Sequence, residues 1–227
     1  MPTYRHGRHE HGQNFLTDQS TISTITQLVA ATEGPIIEIG PGDGALTIPL
    51  AQLGRPVTAV EIDARLARRL GERLPSHVDV VADDFLAYRL PTSLHVLVGN
   101  LPFHQTTAML RRMLHASAWT NAILLVQWEV ARRRAGVGGA TMMTAQWAPW
   151  FEFTLHARVP SRAFTPRPGA DGGILAIHRR EHPLLPPAQR GQFHALVHRV
   201  YTGPGRGLGQ ILARNTTLGS PQAAQAW

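Results

Sequence analysis

Gly99-Asn100-Leu101-Pro102-Phe103 is the stretch whose residue types can do the most specific chemistry. The Asn100 side-chain carbonyl and the backbone carbonyl beside Pro102 can accept the two protons of an exocyclic amine. That draws the amine lone pair out of the purine and toward an electrophile, while Phe103 can stack on an extruded base and hold it in line. Such a site suits methyl transfer from a sulfonium, a leaving group good enough to need no metal, covalent nucleophile or strong base. The plain alternative is an Asn-Pro turn with a core Phe.

A second constellation is Glu38-Ile39-Gly40-Pro41-Gly42-Asp43-Gly44. Alternate glycines permit a tight turn and let backbone approach a ligand closely. Alone the pattern is weak, being shared by dinucleotide enzymes and plain turns. Glu61 then follows 21 residues after Gly40, where a strand-end carboxylate can accept hydrogen bonds from both ribose hydroxyls of a nucleoside. Taken together, the two features point to an adenosine-containing cofactor. Ile62 can pack on the adenine face, and Asp83 or Asp84 can accept from its amino group; Asp84 is favoured because it precedes the apolar Phe85-Leu86 pair. The other of the two then reads as an Asx turn or helix cap.

These residues need a scaffold that brings strand ends together. Strand-like apolar runs occur at 35–40, 57–63, 78–83, 95–100 and 121–127, with helical patterns at 45–53, 64–74 and 106–115 between them. Runs of Ile, Val and Leu without clean alternation belong in a sheet buried on both faces. Strand and helix alternating at this spacing imply a parallel, doubly wound α/β sheet. An Arg-rich helix is expected at 128–135, then late strands at 142–147, 151–159 and 173–178. Lacking crossover helices, these strands suggest an antiparallel edge and hence a mixed sheet. A Pro-rich linker at 182–187 precedes a helix from 188 to about 201 and a shorter one near 208–214. The expected division is a catalytic domain over 1–181, with 1–12 flexible, and a small helical C-terminal appendage over 182–227.

All 22 basic residues are Arg, and the net charge is +7. Residues 1–100 hold 8 Arg against 11 acids, whereas residues 101–227 hold 14 against 4. A basic second half suggests a polyanion docking mainly there. Arg111-Arg112 and Arg132-Arg133-Arg134 are the clusters nominated for phosphate contact, with a solvated helix face as the alternative for each. The 12 His residues show no metal-ligand spacing, and the chain has no Cys, which excludes disulfides and Cys-based zinc sites. No apolar run approaches the ~18 residues of a membrane helix. A cytoplasmic monomer with neither metal nor membrane partner is therefore expected.

The chain resembles the Erm family of ribosomal RNA adenine N6-methyltransferases, relatives of the small-subunit rRNA dimethyltransferases. Besides the segments above, Arg8-His9-Glu10-His11-Gly12-Gln13-Asn14-Phe15-Leu16 and Val159-Pro160 through Phe164-Thr165-Pro166-Arg167-Pro168 carry the likeness. It runs from about Arg8 to Arg180 and implies a Rossmann-like S-adenosyl-L-methionine (AdoMet) domain. It also implies that Asn14 and Leu16 line the methionine side of the cofactor and that Gly40 and Gly42 contact it. Glu61 would meet the ribose, Ile62 and Asp84 the adenine, and Asn100 the reacting amine. Without the likeness, the segment at Gln13 to Leu16 reads as a helix entry capped by Asp18 or Ser20. The stretch 136–144, the Trp147 and Trp150 pair and the short tail favour the Erm branch, whose members methylate one adenine of unassembled 23S rRNA and confer macrolide resistance. Small-subunit (16S) rRNA dimethylation and an idle RNA-binding assembly factor are the competing readings.

Overall fold

Seven strands form one sheet in the order β4-β3-β2-β5-β6-β9-β7. At its centre β2 (Ile36–Ile39) is buried at all four positions, and it pairs in parallel with β3 (Val57–Glu61) and β5 (His95–Asn100). β4 (Val78–Ala82) extends the parallel set beyond β3, and β6 (Trp119–Gln127) extends it beyond β5. β9 (Gly172–Arg179) runs antiparallel to β6, and β7 (Phe151–Val159) antiparallel to β9. The sheet is mixed, as the sequence implied, with the antiparallel strands on the β6 side. The structure is a computed structural model and describes residues 14–204 together with 210, 211 and 214. The expectations for residues 1–12, and most of those for 208–214, fall outside the described residues.

Crossover helices α2 (Thr47–Ala51), α3 (Ala64–Gly71) and α4 (Thr106–His115) connect the parallel strands. Asp63 caps α3 by accepting the backbone N–H groups of Arg65 and Leu66, which stops β3 just after Glu61. α1 (Gln19–Ala30) precedes the sheet, and Asp18 is its cap, accepting from Thr21 N–H at 2.8 Å. Ile22, Ile25 and Val29 of α1 recur at three- and four-residue intervals and are buried.

One expected strand is a helix. Residues 142–147 form α6 (Met142–Trp147), capped by Thr141, whose hydroxyl accepts Thr144 N–H at 3.2 Å. The buried positions, Thr144 and Trp147, are three apart, which is helical spacing, although apolar Met143, Ala145 and Trp147 alternate with Thr144 and Gln146 in the sequence as a half-buried strand would. α5 (Trp128–Arg134) occupies the expected Arg-rich segment. α7 (Arg190–Thr202) packs on α6, with Phe193 and His194 meeting the rings of Trp147 and Trp150.

Candidate functional site

The carboxyl ends of β2, β3, β4 and β5 open onto one cavity, where a doubly wound sheet places its ligands. Asn14, Leu16, Gly40, Gly42, Glu61, Ile62, Asp84, Asn100 and Phe103 all line it. None of the five nominated arginines does.

The glycine loop leaves β2 with Gly40 at φ 65° and Gly42 at φ 54°, backbone that any side chain would strain. A Cβ on Gly42 would stand 2.9 Å from the Phe15 ring, whereas one on Gly40 would meet nothing within 4 Å. The loop thus presses against the N-terminal segment on one side and leaves bare backbone on the other. Glu61 ties this loop to the next turn: Oε2 accepts Gly42 N–H at 2.9 Å, and Oε1 accepts Asp63 N–H at 3.0 Å. Ile62 beside it is 46% exposed, offering an apolar face to a flat ring. Asp83 and Asp84 both line the cavity, and each has one oxygen engaged, Asp83 by Asp84 N–H and Asp84 by Leu86 N–H. Hydrogen bonding does not separate the two.

At the end of β5, the Asn100 amide N–H donates to the Asn14 carbonyl at 2.7 Å. That bond commits the nitrogen and leaves the side-chain oxygen as the acceptor. The Pro102 carbonyl is taken by Gln105 N–H and the Thr106 hydroxyl, both at 3.0 Å, which start α4. Phe103 is half-buried and lies edge-on to Phe164, with centroids 6.3 Å apart.

Sequence reasoning names Phe164 only as part of the likeness and gives it no place in the site. It does not line the cavity but backs Phe103, held by the antiparallel pairing of β1 (Phe15–Leu16) with β8 (Phe164–Thr165) and by Thr17, which donates twice to the Ala163 carbonyl. Glu38 is another residue that sequence reasoning does not nominate. It is 1% exposed and lines the cavity, and its Oε2 has no hydrogen-bond partner. Its place in the acid-and-glycine motif is the signal that could have found it.

Of the nominated arginines, Arg111 and Arg133 are exposed, and Arg132 pairs with Glu129 at 2.9 Å. Arg112 donates to the Tyr88 carbonyl and lies over Phe85, and Arg134 donates to the Thr141 hydroxyl. Burial lowers the Arg134 pKa, and nearby Arg111 adds to that.

A family model described as ribosomal RNA adenine dimethylase matches residues 5–226. The chain belongs to that family. Among its relatives, an rRNA adenine N-6-methyltransferase of Corynebacterium diphtheriae is 61% identical over 215 residues, covering 94% of this chain and 85% of the relative. The mycinamicin-resistance protein MyrB of Micromonospora griseorubida is 51% identical, over 91% of this chain and 67% of its own. The crystal structure of the 23S rRNA methyltransferase ErmE superimposes with a TM-score of 0.82 at 36% identity, covering 88% of this chain and 84% of that one. This member of the rRNA adenine dimethylase family therefore stands with the Erm proteins and is a methyltransferase.

Proposed function

We propose that this enzyme transfers the methyl group of AdoMet to the N6 amine of an adenine in 23S rRNA, acting on unassembled large-subunit RNA and conferring macrolide-type resistance. The observation that carries the reading is the Asn100 amide held by Asn14 in the lining of a cavity that the glycine loop and Glu61 also line. The cavity fits the cofactor on two counts. Bare backbone at Gly40 has room beside it, and a buried carboxyl oxygen of Glu38 stands without a partner in the lining, a group suited to a cationic ligand.

When bound, AdoMet supplies an electrophilic methyl on a sulfonium. Glu61 holds the ribose hydroxyls, Ile62 packs on the adenine with Asp84 accepting its amino group, and Asn14, Leu16, Gly40 and Gly42 flank the methionine portion. Asn100 accepts one proton of the target amine. With the Pro102 carbonyl engaged by α4, the Leu101 carbonyl is the backbone acceptor for the other. Phe103, braced edge-on by Phe164, holds the extruded base. Exposed Arg111 and Arg133 are proposed phosphate contacts. We retain the division into a catalytic domain, 1–181, and a helical RNA-binding appendage, 182–227.

Methylation of transcribed 23S fragments, read by primer extension against a 30S particle as the competing substrate, tests the assignment. A stop at one adenine of the 23S fragment is expected. Modification of the 30S particle alone would move the enzyme to the small-subunit branch. AdoMet binding without turnover on either RNA would favour an idle assembly factor.

A further inference from the structure

Five ionisable side chains line the cavity among the described residues, Glu38, Asp43, Glu61, Asp83 and Asp84, and all five are acids. Glu61, Asp83 and Asp84 accept backbone N–H bonds, and Asp43 sits in the exposed part of the glycine loop. Glu38 differs, since its Oε2 is buried without a hydrogen-bond partner. It stands in the central strand, in register with Ala59 of β3 and Val98 of β5, so apolar residues occupy the rungs on both sides. From α2 the uncharged Thr47 hydroxyl faces it and partly offsets the effect of burial. The charged group nearest in effect is Glu61, of the same sign. A buried carboxyl in that setting keeps its proton until a cation arrives.

Resting on the AdoMet reading, we propose that Glu38 is a proton-coupled charge sensor for the cofactor: the free protein holds it as the neutral acid, and entry of the cationic cofactor expels its proton to solvent. The step balances as Glu38 carboxylic acid plus cofactor cation giving carboxylate paired with cation, plus one proton in the buffer. Once the methyl has left, the sulfonium is a neutral thioether, so the cavity has one positive charge fewer. Glu38 then takes a proton back and the demethylated product is held less tightly than the cofactor. Burial pushes the Glu38 pKa up to about 8, with Thr47 opposing the rise and Glu61 adding to it.

Calorimetric titration of the full chain with AdoMet at pH 7, in two buffers of different ionisation enthalpy, counts the protons released. Close to one is expected for the parent, falling toward none well above pH 8, with affinity rising about tenfold per pH unit below that point. The isosteric Glu38→Gln variant should release none and show a flat affinity profile, and the demethylated product should release fewer protons from the parent. An infrared carboxylic-acid band in the ligand-free parent, missing from Glu38→Gln, checks the starting state even if the variant binds poorly. Parent protein that binds AdoMet without releasing a proton overturns the inference and leaves the cofactor reading standing. Failure to bind AdoMet at all overturns both. Equal proton release with the demethylated product removes the discrimination between cofactor and product.

Discussion

Asn100 shows how one hydrogen bond can decide what a side chain is for. An amide has a donor end and an acceptor end, and the 2.7 Å bond to the Asn14 carbonyl occupies the donor. Asn100→Ala should therefore fold and still bind AdoMet, because Glu61 and the glycine loop remain. Its kcat should fall on the order of 10²-fold or more, as when one preorganised polar group is removed elsewhere. Single-turnover methylation of a short 23S hairpin is the measurement, and a parent-like rate would refute the amine-acceptor mechanism. Glu61 differs in kind, since its oxygens organise the site before any ligand is present. Glu61→Ala removes the proposed ribose acceptor and also the bond to Gly42 N–H, each charge-assisted bond being worth ~1.5–3 kcal/mol. Titration should show AdoMet affinity falling with the fold intact, whereas unchanged affinity would take Glu61 out of the cofactor site.

At the scale of elements, the arginine clusters separate by what each guanidinium touches. α4 presents Arg111 outward, while Arg112 turns back to the Tyr88 carbonyl, the end of the turn that begins at Asp84. Replacing Arg111 and Arg133 together with Ala should raise the KM for RNA and make its salt dependence shallower, by about one unit of slope for each phosphate no longer neutralised, with AdoMet affinity unmoved. An unaltered slope would leave both as solvated surface. Arg112→Ala should instead lower thermal stability, by ~1–3 kcal/mol for the uncovered Tyr88 carbonyl and the packing removed from Phe85, and weaken AdoMet binding through the Asp84 turn. Thermal melts beside cofactor titrations distinguish the two behaviours.

Across the whole molecule, the buried acid should also appear in the stability of the ligand-free protein. Folding raises the Glu38 pKa from the ordinary 4.5 to about 8. Between those values the unfolded chain ionises this carboxyl and the folded chain does not, so its contribution to stability is full below about pH 4.5 and declines as pH rises toward 8. The parent should therefore lose up to ~1.4 kcal/mol per pH unit across that window relative to Glu38→Gln. Melting curves at a series of pH values would show the two profiles diverging upward in pH. Parallel profiles would mean that Glu38 is ionised in the free fold.

Local chain chemistry is enough to read the alternation of strands and helices, the glycine loop, Glu61 at one strand end and Asn100 at another. Each depends on residue types within a few positions of one another, and a parallel α/β sheet then brings its strand ends to one rim. The 142–147 helix escapes such a reading because Met and Trp suit either element, and the Thr141 hydroxyl decides between them through its bond to Thr144 N–H. Other features have no local signature. The Asn14 to Asn100 bond spans 86 positions, and Thr17 to Ala163 spans 146. The isolation of Glu38 depends on neighbours from two other strands and a helix. Which arginines face solvent depends on carbonyls and hydroxyls that only the folded chain puts within reach, because burial and pairing at such separations are properties of packing and not of sequence spacing.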